Sequence, residues 1–199
     1  EMLGGALSII PAVRYDWYDL SPEVDALFPA SATSQSEDHI SPKLGVVWWA
    51  DRRFGLFANY AEGFRAPSPM QVNNYFENPV YGYTSIPNPD LKPETSDSIE
   101  GGLRFRDIAA FGGELRLQTT AFSTHYDNFI EQVVASGTGV PGVDPLIYQY
   151  VNLTNVDIWG LEARGDVAWS NGLSLIVSAA FADGEQETDG DKTQLSSVD

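Results

Sequence analysis

Cysteine is absent from this chain of 199 residues, which excludes a disulfide scaffold, a thiolate metal site and a cysteine nucleophile. Positive charge is scarce: 11 Lys and Arg stand against 28 Asp and Glu, a net charge of -17. No Lys or Arg lies between Arg14 and Lys43 or between Arg116 and Arg164. Phosphate backbones are bound by clustered Lys and Arg, so nucleic acid is excluded as a partner. No run of about 18 apolar residues occurs, which rules out a membrane-spanning helix but not a barrel, whose strands need only about 9–11 residues of alternating character. Histidine is limited to His39 and His125. Without metal-spaced histidines, a Gly-Lys-Ser/Thr phosphate loop or a Gly-x-Ser-x-Gly elbow, nothing points to an enzyme. Glu1 to Gly5 lack the basic start of a secretory leader, and the expectation is a chain that begins within a strand of something larger.

What is present is a period of two. Leu7, Ile9, Pro11, Val13, Tyr15 and Trp17 alternate with Ser8, Ile10, Ala12, Arg14 and Asp16, and Leu44, Val46 and Trp48 alternate with Lys43, Gly45 and Val47. Phe54, Leu56, Ala58 and Tyr60 form the next apolar set. Ile99, Leu103 and Phe105 then oppose Glu100, Arg104 and Arg106, and Leu115 and Leu117 oppose Glu114 and Arg116. Trp159, Leu161 and Val167 oppose Glu162, Arg164 and Asp166, and Leu175, Val177 and Phe181 oppose Ser174, Ser178 and Ala180. The pattern predicts about seven strands, each with one apolar face. Their connections alternate between short ones, such as Ser170-Asn171-Gly172, and long ones of about 20 residues or more, which a compact soluble domain disfavours and an outer-membrane barrel requires. Trp48, Trp159, Trp169, Tyr60, Phe105 and Phe181 fall near strand ends, where interfacial aromatic girdles sit. About seven strands leave two open edges, so the expectation is a part of a larger barrel. The acidic stretch Asp183 to Asp191 lacks the EF-hand order and is expected to be a solvated loop or a weak divalent-cation site.

Two boxes stand out. Asn59-Tyr60-Ala61-Glu62-Gly63-Phe64-Arg65-Ala66-Pro67 ends one strand, and Asn88-Pro89-Asp90-Leu91-Lys92-Pro93-Glu94-Thr95 precedes the next, followed by Ile99-Glu100-Gly101-Gly102-Leu103. Together they resemble the paired FRAP and NP(N/D)LKPE boxes of TonB-dependent outer-membrane receptors, especially the haem and haemoglobin branch. Weaker similarities follow in the same order at Ile40 to Gly45, Tyr150 to Leu153 and Gly160-Leu161-Glu162. The resemblance implies an all-β fold: residues 1–199 form an antiparallel portion of one receptor β-barrel of roughly 22 strands, with long extracellular loops and short periplasmic turns. Plug domain and C-terminal strands are expected to lie outside the chain.

The prolines of the boxes end strand pairing. Arg65 is the one basic residue between Arg53 and Lys92, and it is open to two roles, as a paired scaffold residue or as a ligand contact. The loop between the boxes is the candidate recognition surface. It brings Asn73, Asn74, Tyr75, Phe76, Tyr81 and Tyr83, flat aromatics and adaptable amides, and these with Arg65 are the expected ligand-binding residues. The segment Ser68 to Ile86 is expected to recognise ligand while the boxes hold the wall. The resemblance to haem receptors would place an iron-ligating histidine between the boxes. This sequence has none there, and Tyr75, Tyr81 or Tyr83 are the phenolic alternatives.

The implied function is active import across the bacterial outer membrane of an iron-containing ligand, haem or a ferric siderophore, with energy from TonB. No resident cofactor or metal is expected, only haem or a ferric chelate as cargo. The implied partners are TonB acting through a plug, outer-membrane lipid and lipopolysaccharide, and the ligand or its carrier protein. Two alternatives stay open: a passive or adhesive outer-membrane barrel, and a secreted soluble β-protein that binds carbohydrate.

Overall fold

The structure, a computed structural model, describes residues 6–23, 32–153, 155–188 and 191–194. Its frame is an eight-stranded antiparallel sheet in the order β1-β2-β3-β6-β7-β10-β11-β12. Seven of these are long: β1 (Leu7–Leu20), β2 (Gln35–Trp49), β3 (Phe54–Arg65), β6 (Glu94–Ala110), β7 (Gly113–Asp127), β10 (Asn155–Ala168) and β11 (Ser174–Thr188). The eighth, β12 (Asp191–Gln194), pairs only with the end of β11. At 12 to 17 residues the long strands exceed the roughly 9–11 that a membrane crossing needs, so they project beyond the apolar band.

The ladder places the alternating residues as expected. Trp48 faces Leu56, Leu56 faces Leu103, Leu103 faces Thr119, and Ala121 faces Leu161, which faces Phe181. One face is therefore continuously apolar, and it is uncovered: Leu161 is 53%, Phe181 55% and Val177 60% exposed. Such a contiguous apolar surface demands a nonaqueous neighbour. Ring pairs mark both ends of the band, Trp159 with Phe181 at 5.4 Å and Phe54 with Phe105 at 5.2 Å. The opposite face carries Asn59, Glu100, Arg104, Glu162 and Arg164, with Asn59 Nδ2 donating to Glu100 Oε1 at 2.6 Å.

Short turns close one rim. The Ser170-Asn171-Gly172 turn is bounded by the Trp169 N to Leu173 O bond, and Ala110–Gly113 joins β6 to β7 after a bulge between Phe105 and Ile108.

The other rim departs from the expectation of irregular loops. The long connections fold into a helix, α1 (Pro69–Asn73), and a second sheet of β4 (Phe76–Asn78), β5 (Tyr83–Ile86), β9 (Leu146–Asn152) and β8 (Ile130–Ser136). β5 and β9 pair in parallel across two different connections, a long-range contact that a local pattern cannot announce. His39 lies inside β2, opposite Asp16. One other expectation shifts. The acidic segment from Asp183 continues β11 to Thr188, because it pairs with β10 on one side and β12 on the other; residues 189 and 190 lie outside the described residues.

Candidate ligand-recognition site

The two boxes meet at the rim that carries the long connections. Arg65 and Glu94 are cross-strand partners on β3 and β6. The guanidinium grips the carboxylate with two donors, Nε to Oε2 and Nη2 to Oε1, the latter at 2.5 Å. Such a bidentate pair combines charge with fixed geometry. The Glu94 side chain is only 7% exposed, whereas that of Arg65 is 52% exposed. Glu94 Oε1 also accepts from the backbone N of Ile130 at 2.6 Å, which ties β8 to the wall.

Beyond Arg65 the chain enters α1 by a capping box. Ser68 Oγ accepts from Gln71 N at 3.3 Å, Gln71 Oε1 accepts from Ser68 N at 2.9 Å, and Pro69 occupies the first turn. These exchanges satisfy donors that a five-residue helix would otherwise leave bare. The helix exists to bury Val72, which packs with Leu91 and Ile130, flanked by Leu20 and Tyr150. Leu91 is the leucine of the second box, so one small core joins that box to α1, β8, β9 and the end of β1.

Amides hold the second box in place. Asn88 Nδ2 donates to Tyr150 O at 2.8 Å, Gln35 Nε2 to Leu91 O at 3.0 Å and Gln149 Nε2 to Pro87 O at 2.9 Å. Asn152 Oδ1 accepts from Lys92 N at 2.8 Å while its Nδ2 donates to Lys92 O and Asn128 O. Proline-rich backbone has few donors of its own, and side-chain amides supply what a strand neighbour would. Sequence reading took Asn88 only as part of the second box and missed Gln35, Gln149 and Asn152, although Asn152 lies within the weak similarity at Tyr150 to Leu153.

The expected ligand-binding residues separate into two groups. Asn73 is bound at both amide atoms to the backbone of Thr33, accepting at 2.7 Å and donating at 3.2 Å. Asn74 closes α1, its N donating to Met70 O at 3.0 Å. Tyr83 is sandwiched on the second sheet between Phe76, at 5.8 Å, and Tyr148, at 6.2 Å. Tyr75 and Tyr81 face outward, 66% and 76% exposed, and Tyr75 Oη donates to Glu77 at 3.4 Å. The turn carrying Tyr81 leans on a second one: Leu146 N donates to Gly82 O at 2.8 Å, and a Cβ on Gly82, whose φ is +69°, would come within 3.0 Å of Pro141. Exposed Val80, Val140 and Val143 therefore belong to the same tip; the valines give no signal in sequence because single exposed apolar residues are ordinary.

Neither histidine belongs to this tip. His125 shares the apolar face of the sheet with Trp159 and Leu161, and its Nδ1 lies 2.6 Å from Asp157 Oδ1. His39 stacks on Phe64 of the first box at 4.9 Å, with the rings 8° from parallel. Among the described residues no group of three or more His, Asp or Glu is arranged to hold a metal ion.

Residues 3–198 match the sequence profile of the family described as TonB dependent receptor-like, beta-barrel. Among curated proteins the chain is 26% identical to heme/hemopexin utilization protein C of Haemophilus influenzae, over 96% of this chain and 28% of that protein. It is 31% identical to a hemin receptor of Yersinia enterocolitica, over 79% of this chain and 24% of that protein. The chain thus spans under a third of the length of these relatives. Among solved structures it superposes on the Serratia marcescens hemophore receptor HasR, solved with its hemophore HasA and heme, with a TM-score of 0.60 at 18% identity, over 91% of this chain and 29% of that one. For the ferric enterobactin receptor of Pseudomonas aeruginosa the TM-score is 0.58 at 20% identity, over 94% of this chain and 28% of that one. At these identities the likeness shows the fold. The apolar outer face, the paired boxes and the matched profile agree: the chain belongs to the TonB-dependent receptor β-barrel family of the bacterial outer membrane.

Proposed function

We propose that this chain is a section of barrel wall and extracellular crown in a receptor that captures and imports an iron-containing ligand, haem in the first instance. The carrying observation is the tip built on the clamped boxes: Tyr75 and Tyr81, exposed on a crown anchored through Arg65, Glu94 and Leu91. Aromatic rings on a rigid support give a flat, apolar ligand contact area at small entropic cost. The names of the relatives, which specify hemin and hemopexin, favour haem over a ferric siderophore.

In this reading the wall is passive and the crown selects. Tyr75, Phe76, Tyr81 and Tyr83 contact the ligand or its carrier protein, and Arg65, Asn73 and Asn74 hold them in position. Energy comes from TonB acting on a plug that, with the remaining strands, lies outside residues 1–199. Lipid and lipopolysaccharide surround the apolar face. The task is transport, with no bond made or broken. The test is haem-dependent growth of an iron-starved host expressing the receptor that contains this chain. Growth should require TonB and should be lost when Tyr75 and Tyr81 are both replaced by alanine. Growth that persists without TonB would leave the passive barrel as the better reading.

A further inference from the structure

The densest positive charge in this acidic chain gathers at the rim of short turns. Of its 11 Lys and Arg, Arg52, Arg53, Arg104 and Arg106 meet where the β2–β3 turn joins the end of β6. Arg104 is the cross-strand partner of Gly55, and its Cζ lies 4.4 Å from the centroid of the Phe57 ring. Arg106 donates Nε to Arg52 O at 2.8 Å and N to Arg53 O at 3.0 Å, and its Cζ lies 3.9 Å from the Trp49 centroid. Gly55 makes the arrangement possible, since a Cβ there would come within 2.8 Å of the Trp49 ring.

Arg14, Arg65, Arg116 and Arg164 each pair with a carboxylate, those of Asp16, Glu94, Glu114 and Asp166. Among the described residues Arg104 and Arg106 have no such partner. Asp51, the acid of the adjacent turn, accepts from Arg53 N and Phe54 N through Oδ1. A guanidinium laid on an aromatic face keeps its in-plane donors for a second partner. Two stacked guanidinium groups without a carboxylate, Arg106 spending only its Nε on Arg52 O, still offer their terminal nitrogens to carboxylates.

We propose that Arg104 and Arg106 form a platform that binds an acidic polypeptide segment at the periplasmic mouth of the barrel interior. The inference rests on the barrel reading above. The ladder puts Arg104 on the polar face with Glu100 and Glu162, and the Trp49 ring that carries Arg106 covers Gly55 on that same face. Leu103 and Leu161 point the other way, so lipid headgroups approach the opposite side. The two arginines alternate along β6 as side chains do on one face of an extended peptide, so an Asp/Glu-x-Asp/Glu segment meets both forks.

The test uses the receptor that contains this chain, in outer membranes, with Arg104→Lys and Arg106→Lys made separately. Each variant keeps the charge and offers an amine to a zero-length carbodiimide, with Lys92 in the exposed second box as reference. The expected result is an amide bond, mapped by peptide mass spectrometry, between the new lysine and an Asp or Glu of a polypeptide segment, and loss of its reactivity toward an acylating reagent. Lysines that stay uncoupled in both variants and acylate as readily as Lys92 would overturn the platform. So would anionic phospholipid that co-purifies with the wild type and is lost in Arg104→Gln/Arg106→Gln without any coupling. Heat-dependent migration of each variant separates the two levels: its absence counts against the barrel, and uncoupled lysines in an intact barrel count against this inference alone.

Discussion

Arg65 and Glu94 are unequal partners, a half-exposed guanidinium closing over a carboxylate that is 7% exposed and also holds Ile130 N. The arginine is the point of greatest sensitivity, because its removal leaves the buried charge unpaired. Arg65→Ala strands a carboxylate that keeps only its bond from Ile130, and should cost about 3–5 kcal/mol. Glu94→Ala leaves a half-exposed arginine that water can serve and one backbone donor without its acceptor, and should cost about 1–3 kcal/mol. Urea unfolding of the two variants in one lipid or detergent checks the order, and an equal or reversed order would refute the assignment.

The register of the large sheet fixes which side chains meet lipid. Spin labels at Leu103, Leu161 and Val177 should report hydrocarbon, and labels at Glu100, Glu162 and Arg164 should report water. A one-residue slip would exchange the two sets, so uniform water exposure or the reverse pattern would overturn the wall as described.

Tip and base of the crown should respond differently. Tyr81→Ala removes a side chain 76% exposed and should change stability by no more than about 0.5 kcal/mol while weakening ligand binding. Leu91→Ala opens a cavity against Val72 and Ile130 and should cost about 2–5 kcal/mol. For the same reason excision of Ser68 to Ile86 as a block, which sequence alone portrays as harmless to the wall, would remove Val72 from its core and β5 from β9. Thermal unfolding measured beside haem titration separates these outcomes.

With haem as the proposed ligand, replacing both His39 and His125 by alanine should leave the Soret band of the loaded receptor in place. His125 sits among Asp157, Asp127 and Asp97 on the face turned away from the lumen, and His39 is stacked on Phe64 within the wall. A lost or shifted band in the double variant would put an imidazole on the iron.

Asp51 lies in the β2–β3 turn, outside the spanning strands. Backbone hydrogen bonds, from Arg53 first and Phe54 second, hold its carboxyl below its ordinary value of 3.8. A group lowered in the folded state stabilises it fully above the ordinary value and loses that effect as pH falls through the lowered one. The difference in unfolding midpoint between the wild type and Asp51→Ala should therefore be constant near neutrality and shrink only in strong acid. A difference that grows toward acid would contradict the hydrogen-bond pattern.

The long strands and their faces were legible in sequence because period two is a local property: Leu56 and Leu103, or Glu100 and Arg104, declare their side by spacing alone. The boxes were legible because proline-rich breaks between strands are also local. What sequence left open was every partner across the chain. Arg65 carried two readings until β3 and β6 paired and set Glu94 opposite it. Asn73 read as a ligand contact, yet it grips Thr33. The second sheet joins β5 to β9, segments some 60 residues apart in the chain, and Val140 and Val143 reach the tip only through it. Sequence by itself determined the alternation, the acidity and the breaks, since each depends on neighbours along the chain. Tertiary structure decided which charges are paired, which aromatics are exposed and where two arginines lie unpaired on their rings, since each depends on what folding brings alongside.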